Sequence, residues 1–377
     1  MQHEKKESAA RATRALLGTI LALCLLHAFG SGFYMPSIWT GNYYGISFSD
    51  GFFRRALAGT LLTPFGSLRS NYFFIAAVQL IVGAALLALL LRRALTVPPS
   101  QKLWLWYVLC AAALSRYGAF FFATQGHPEY LMYLATLLSL GLKNAALRAA
   151  LIAATMWVHE MALFTCLPLW FALEYLHYGR RRTAWAGLAA SLASFIAIST
   201  FFQMPDEAVL AQHTQRLMHA SYIPAYDYLD VFRHDFTGER FNWRSWYGAP
   251  DVWQVEGQYI ALLLALATIL AAGLWQRQER SRAVLIFAAA LTPLLMGWFG
   301  YDTNRWVFLA LANTAVLFCV FLPRLGEGAK TIFMGALLIF LLTTSPALPD
   351  WKYYRTPGNA AQFLIHIGQH VSTIPMR

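Results

Sequence analysis

Long apolar runs, separated by short polar stretches, recur from one end of this chain to the other. A helix rises 1.5 Å per residue, so about 20 apolar residues cross roughly 30 Å of hydrocarbon. The pattern therefore predicts an all-α, polytopic membrane protein with about eleven transmembrane helices. They are placed at 15–35, 71–92, 102–120, 125–142, 145–158, 161–177, 183–203, 257–275, 283–299, 305–322 and 329–346. Residues 1–377 read as a single integral membrane domain, and three stretches interrupt it: 36–70, 203–256 and 348–377. Within the first, Gly51 to Gly66 sets Phe52, Phe53, Leu57, Leu61 and Leu62 against Arg54 and Arg55, which predicts a short interfacial helix. The second is rich in Trp, Tyr, Arg and Asp and is expected to fold over the outer mouth. Ala145 to His177 has two readings, a hairpin of two short helices meeting at His159 and Glu160, or one long tilted helix.

Composition narrows the class. With 58% hydrophobic residues, 12% charged and a mean hydropathy of +0.47, the chain is too apolar for a water-soluble protein of its length. A net charge of +11 raises the question of nucleic acid, but the basic residues stand in small clusters between apolar runs rather than in one patch. That arrangement follows the positive-inside rule. With the N-terminus in the cytoplasm and the C-terminus on the outer side, 17 of the 29 Lys and Arg fall inside and 13 of the 18 Asp and Glu fall outside. Lys5, Lys6, Arg11 and Arg14 precede the apolar run Ala15 to Leu26, the charge layout of a signal sequence. No clean cleavage site follows, so the run is read as an uncleaved first helix. Cys24, Cys110, Cys166 and Cys319 all lie inside apolar runs and read as small core residues.

Candidate chemistry concentrates near the outer helix ends. Ionisable groups at membrane depth are costly and usually face a cavity, and Asp50, Arg54, Arg55, Arg116, His127, Glu129, His159, Glu160, Asp302 and Arg305 gather on one face in this topology. In Ser-Asp-Gly-Phe-Phe-Arg-Arg, Asp50 is either a base beside two diphosphate-gripping arginines or a helix cap with arginines reaching for lipid headgroups. His159 and Glu160 end a helix too short to reach the far surface and so lie in a sunken polar pocket, or else tie a hairpin together. Position 163 is Leu, so the second histidine of a His-Glu-x-x-His zinc site is missing. Arg116 and Tyr117, with His127 and Glu129, bracket one short outer turn, and Asp302, Asn304 and Arg305 occupy another. No metal cluster, Walker loop, Gly-x-Ser-x-Gly or haem pattern is present, and no metal or other cofactor is expected.

The acidic residue after the first helix, with an amphipathic segment behind it, resembles the GT-C superfamily of membrane glycosyltransferases. The long outer loop between late helices is similar to the O-antigen polymerase and ligase branch of that architecture. The resemblance implies a polyprenyl-(di)phosphate-linked glycan as donor, Asp50 or Glu160 as the outer-facing base, and Arg54, Arg55, Arg116 and Arg305 on the leaving phosphate. It further implies a metal-independent reaction in the bacterial cytoplasmic membrane, with membrane lipid and other polysaccharide assembly proteins as partners and no nucleic acid. The chain has Ser49-Asp50-Gly51 in place of the paired acidic motif common in that superfamily. Two other classes stand beside this reading. One is a lipid-linked glycan flippase or other secondary transporter, which calls for ionisable groups in the inner half, where only Glu174 and His177 appear. The other is a non-catalytic component of a polysaccharide assembly complex.

Overall fold

A computed structural model describes residues 2–33, 36, 38–70, 72–95, 99–201, 208, 211, 257–277, 279–298, 303–344 and 346. Every regular element among them is helical. In chain order they are α1 (Gln2–Gly32), α2 (Ile38–Gly45), α3 (Leu57–Leu61), α4 (Tyr72–Leu95), α5 (Pro99–Leu114), α6 (Arg116–Ala123), α7 (Pro128–Gly141) and α8 (Ala145–Val158). There follow α9 (Cys166–Ala172), α10 (Arg181–Phe201), α11 (Gly257–Trp275), α12 (Arg280–Leu291), α13 (Thr303–Phe321) and α14 (Glu327–Thr343). Among the described residues six helices are long and apolar enough to cross a membrane, and seven if the bent pair α5 and α6 is one span. The loops expected at 203–256 and 348–377 lie outside the described residues apart from 208 and 211.

Instead of one body, the chain divides into two compact units. The first comprises Met1–Met35, Arg93–Thr124 and Met334–Arg377. In it α1 and α6 cross so closely that a Cβ on Gly32 would stand 1.9 Å from the Ala119 carbonyl oxygen. Phe29 stacks on Phe33 at 4.5 Å and meets Phe122 edge-on at 5.5 Å. The span expected at 102–120 bends by 68° at Ser115, whose backbone is extended and whose Oγ accepts the Tyr117 N–H at 3.2 Å. A serine that caps a new helix in this way ends the previous one.

The second unit, Pro36–Arg92 and Gln125–Phe333, holds α7 to α10, α12 and α13 in one bundle. Residues 145–177 fold back on themselves. His159 is extended (φ −164°, ψ 132°) between α8 and a 3-10 turn at Glu160–Leu163. The Cys166 sulfur lies 3.8 Å from Thr155 Oγ1, and Arg148 Nε lies 3.3 Å from Glu174 Oε1. Both pairs sit symmetrically about residues 160–161, whereas in a continuous helix Arg148 and Glu174 would be about 39 Å apart. The chain after the apex ends in a π-helical turn, Leu173–His177. Trp170 lies against α10, where a Cβ on Gly187 would come within 2.3 Å of the indole, and its Nε1 donates to Ser139 Oγ of α7 at 2.8 Å. Asn313 of α13 donates to the Thr165 and Ala289 carbonyls at 3.0 Å each and accepts from the Tyr133 hydroxyl at 2.7 Å, tying four elements at mid-depth.

The segment 36–70 is built differently from the expected single helix over 51–66. Gly51 (φ 140°) and Arg55 (φ 62°) reverse the chain, and helix resumes only at Leu57, because neither backbone conformation continues a right-handed helix. Tyr43, Tyr44, Ile46, Ala56, Ala58, Leu62 and Ile75 form its buried apolar core. A Cβ on Gly59 would stand 1.9 Å from the Ile46 carbonyl oxygen, so α3 packs backbone to backbone against the chain leaving α2.

The hairpin predicts a cross-link. In a chain whose only cysteines are Cys166 and an introduced Thr155→Cys, mild oxidation should remove both alkylatable thiols. In a straight helix these positions lie about 16 Å apart, and persistence of both thiols under strong oxidant would exclude the fold-back.

Candidate functional site

At the apex of the hairpin, residues 159–161 act as a node. His159 is extended so that Glu160 turns into the bundle end, where it is 2% exposed. Arg55, 105 positions earlier, closes on it: Nε lies 3.1 and 3.0 Å from the two carboxylate oxygens, and Nη2 donates to Oε1. Met161, the next residue, places its sulfur 3.9 Å from Nη2 of Arg305. Arg305 donates through Nε and Nη2 to Glu129, which opens α7 one residue after Pro128. The His159 Nδ1 accepts the Met161 N–H at 3.2 Å, which leaves the ring proton on Nε2. It also lies 3.5 Å from Glu160 Oε2, but a ring nitrogen that accepts the backbone N–H carries no proton to donate to the carboxylate. Tyr43 from α2 covers this ring at 5.6 Å. Two buried arginine–glutamate pairs, two histidines and a tyrosine thus meet at one end of the bundle.

Arg55 holds φ 62°, a left-handed backbone that costs a residue with a Cβ roughly 1–2 kcal/mol. Such strain persists only where the surroundings over-determine it. Here the surroundings are Glu160 and the buried cluster beneath α2. A lone buried carboxylate is far costlier, so the strained arginine is the smaller penalty.

Burial pushes the Tyr43 phenol up to about 12, against the opposing pull of Arg55 and Arg305. That balance places Tyr43 within electrostatic reach of both arginines and of Glu129 and Glu160. His127, the residue before α7, is buried as well.

The other expected site residues fall elsewhere. Asp50 ends a 3-10 turn, Phe48–Asp50, in a reciprocal cap: its Oδ2 accepts the Ser47 N–H at 3.0 Å and the Ser47 hydroxyl at 2.9 Å. Arg69, which the sequence did not single out, lies 3.4 Å from the same carboxylate and donates to Ser47 Oγ at 2.7 Å. Asp50 is therefore held as a cap within its own loop. Arg54 is half-buried beside Arg55. Arg116 and Tyr117 do not bracket the turn before α7; they open α6 in the first unit, where Tyr117 stacks on Phe340 at 5.3 Å. Asp302 lies outside the described residues. Among the described residues no group of three or more His, Cys, Asp or Glu is placed to hold a metal ion.

A second charged cluster occupies the opposite end of the hairpin. Glu174 is fully buried in the π-helical turn, with Arg148 Nε at 3.3 Å and Arg180 Nη1 at 3.1 Å. Arg148 also donates to the carbonyls of Leu142 and Lys143 at 2.8 Å each, closing the loop between α7 and α8. Glu160 and Glu174 stand at the two ends of the arm that returns alongside α8, a helix of 14 residues and about 21 Å.

Compared with known proteins, the chain matches no family model, no curated protein and no solved structure.

The buried pair makes a prediction in stability. Arg55→Met and Glu160→Met should each lose about 3–5 kcal/mol, because each leaves an uncompensated charge, while the double variant should recover a large part of the loss. Reversible unfolding in mixed micelles measures the cycle, and strictly additive losses would show that the two side chains do not act on each other.

Proposed function

We propose that this chain is a multi-pass enzyme of the bacterial cytoplasmic membrane, with about eleven crossings, a cytoplasmic N-terminus and a periplasmic C-terminus. Its reaction is the transfer of a sugar from a polyprenyl-(di)phosphate donor at the outer face, in the manner of GT-C glycosyltransferases. The observation that carries this reading is the node at residues 159–161, which joins the Ser-Asp-Gly-Phe-Phe-Arg-Arg segment to the His-Glu pair through Arg55 and Glu160. Helix α8 spans 14 residues, about 21 Å, so with the opposite charged layer at one surface a site at the node would sit some 9 Å below the other surface of a roughly 30 Å hydrocarbon core. A lipid-linked sugar reaches such a depth without leaving the bilayer.

In this reading an acceptor hydroxyl oxygen attacks C1 of the donor sugar. The bond from C1 to the phosphate oxygen breaks, and its electron pair leaves on the phosphate. Glu160, kept ionised and aimed by Arg55, takes the acceptor proton. His159 Nε2–H offers a donor beside it, and Glu129 with Arg305 fixes the neighbouring wall. Asp50 supports the loop that carries Arg55 and takes no part in proton transfer. Arg54, in the same turn, would meet the leaving phosphate.

One observation favours the rival class. Buried polar groups continue inward from the node through Tyr133, Asn313, Ser139 and Trp170 to the Arg148, Glu174 and Arg180 cluster, a more polar inner half than the spacing of charges in the sequence suggests. A flippase would use such a column as a path.

Purified protein in lipid vesicles, supplied with a polyprenyl-diphosphate sugar and a candidate acceptor, decides between them. Free polyprenyl diphosphate should appear in the presence of chelator, and Glu160→Gln should lower turnover by about 10²-fold or more. Transbilayer movement of the lipid without product would make the protein a flippase.

A further inference from the structure

The two arginines at the node are each neutralised by a carboxylate of their own, so the four charges of Arg55, Glu160, Arg305 and Glu129 cancel. Such a site has little net field with which to attract a diphosphate, in contrast to the expectation that both arginines grip the phosphate.

What the adjoining wall offers is uncharged hydrogen-bonding capacity. Gly126 (φ 97°) brings its backbone close to α2 and α4: a Cβ there would stand 2.8 Å from Thr40 Oγ1 and 2.9 Å from Gln79 Oε1. Gln79 donates through Nε2 to the Gly126 carbonyl at 3.2 Å, which fixes its amide and leaves Oε1 as an acceptor. That oxygen is buried, in a side chain 1% exposed, with no hydrogen-bond partner among the described residues. Tyr44 follows Thr40 by four positions on α2 and so shares its face. Its hydroxyl is likewise buried and unpartnered among the described residues, in a residue 3% exposed and within electrostatic reach of Glu129. A buried donor or acceptor without a partner costs about 1–3 kcal/mol, and two in one unit, one of them within electrostatic reach of Glu129, mark a place where a ligand supplies the missing bonds.

We infer that the wall formed by Tyr44, Gln79 and Glu129 binds the uncharged, polyhydroxylated ring of a sugar, while the phosphate of a lipid-linked donor is held away from Arg55 and Arg305. This rests on the proposed sugar substrate but not on catalysis. The Gln79 carbonyl and the Glu129 carboxylate accept from ring hydroxyls, and the Tyr44 hydroxyl donates to one. Arg55 and Arg305 are positioning residues that hold the two carboxylates in place.

The test uses the full chain in lipid nanodiscs and reads the thermal unfolding midpoint. The probes are the methyl glycosides of glucose, galactose, mannose and N-acetylglucosamine, with farnesyl diphosphate as the anionic probe. At least one glycoside should raise the midpoint of the wild type, and Tyr44→Phe or Gln79→Leu should weaken that response about tenfold in concentration, the worth of one hydrogen bond. The farnesyl diphosphate response should be unchanged by Tyr44→Phe. Tyr44→Phe removes one oxygen that has no hydrogen-bond partner among the described residues, so without ligand it should unfold no earlier than the wild type, which keeps the comparison readable. General stabilisation by excluded sugar would act equally on all variants. A diphosphate response abolished by these substitutions would make the wall an anion site and overturn the inference. Glycosides without any variant-sensitive shift would overturn it too, leaving only a polar core. Loss of transferase product with a retained glycoside shift would remove the proposed reaction and leave the sugar site standing.

Discussion

A carboxylate buried at the apex of a helical hairpin requires a cation in direct contact, because removing the charge from water without a partner costs far more than a domain's net stability allows. Glu160 meets that requirement with Arg55, and most of the architecture around it follows. The arginine must arrive from another segment, so residues 36–70 are drawn over the end of the bundle. It must present its fork at a fixed angle, so its backbone takes a left-handed turn that a residue with a Cβ ordinarily avoids. The strain is held because Tyr43, Ile46, Ala56 and Ile75 bury the loop beneath it, and because Ser47, Asp50 and Arg69 tie its entry.

The same reasoning applies to the second pair. Arg305 opens α13 and Glu129 opens α7, and both are buried. Their contact links two helices that the sequence separates by 176 positions. Helices α7 and α8 are only 14 residues each, so a polar layer at one end and the Arg148, Glu174 and Arg180 layer at the other are separated by about 21 Å. Short helices lie between two charged layers, in a chain whose longer helices are long and apolar enough to cross a membrane. That geometry is the basis for reading the node as the place where a lipid-borne substrate meets the protein.

Much of this was legible in the sequence. The helical character and the six longest apolar spans followed from run lengths alone, the break at His159 was one of two readings of 145–177, and Arg55, Glu129, Glu160 and Arg305 stood out through the cost of charge at membrane depth. What pairs with what was not legible, because partner choice between segments 105 and 176 positions apart depends on packing and not on spacing. Asp50 and Arg54 sit in the same motif as Arg55; a capping Asp50 was one of the two readings of that motif, but the partners Ser47 and Arg69 lie outside it. The bend at Ser115 was missed because an apolar run continues through it, although serine is itself a favoured helix N-cap. Tyr44 and Gln79 carry no charge, so only the burial of the Tyr44 hydroxyl and the Gln79 carbonyl oxygen without a partner among the described residues brings them forward.

The central claim is that Arg55 and Glu160 form one unit that organises the site and faces the substrate. The most direct measurement is an experimental structure of the protein in a lipid nanodisc with a polyprenyl-diphosphate sugar bound. The account predicts Arg55 in two-pronged contact with Glu160, the sugar ring beside residues 159–161, and the diphosphate away from both buried arginines. Arg55 and Glu160 parted, with the diphosphate seated between Arg55 and Arg305, would contradict it.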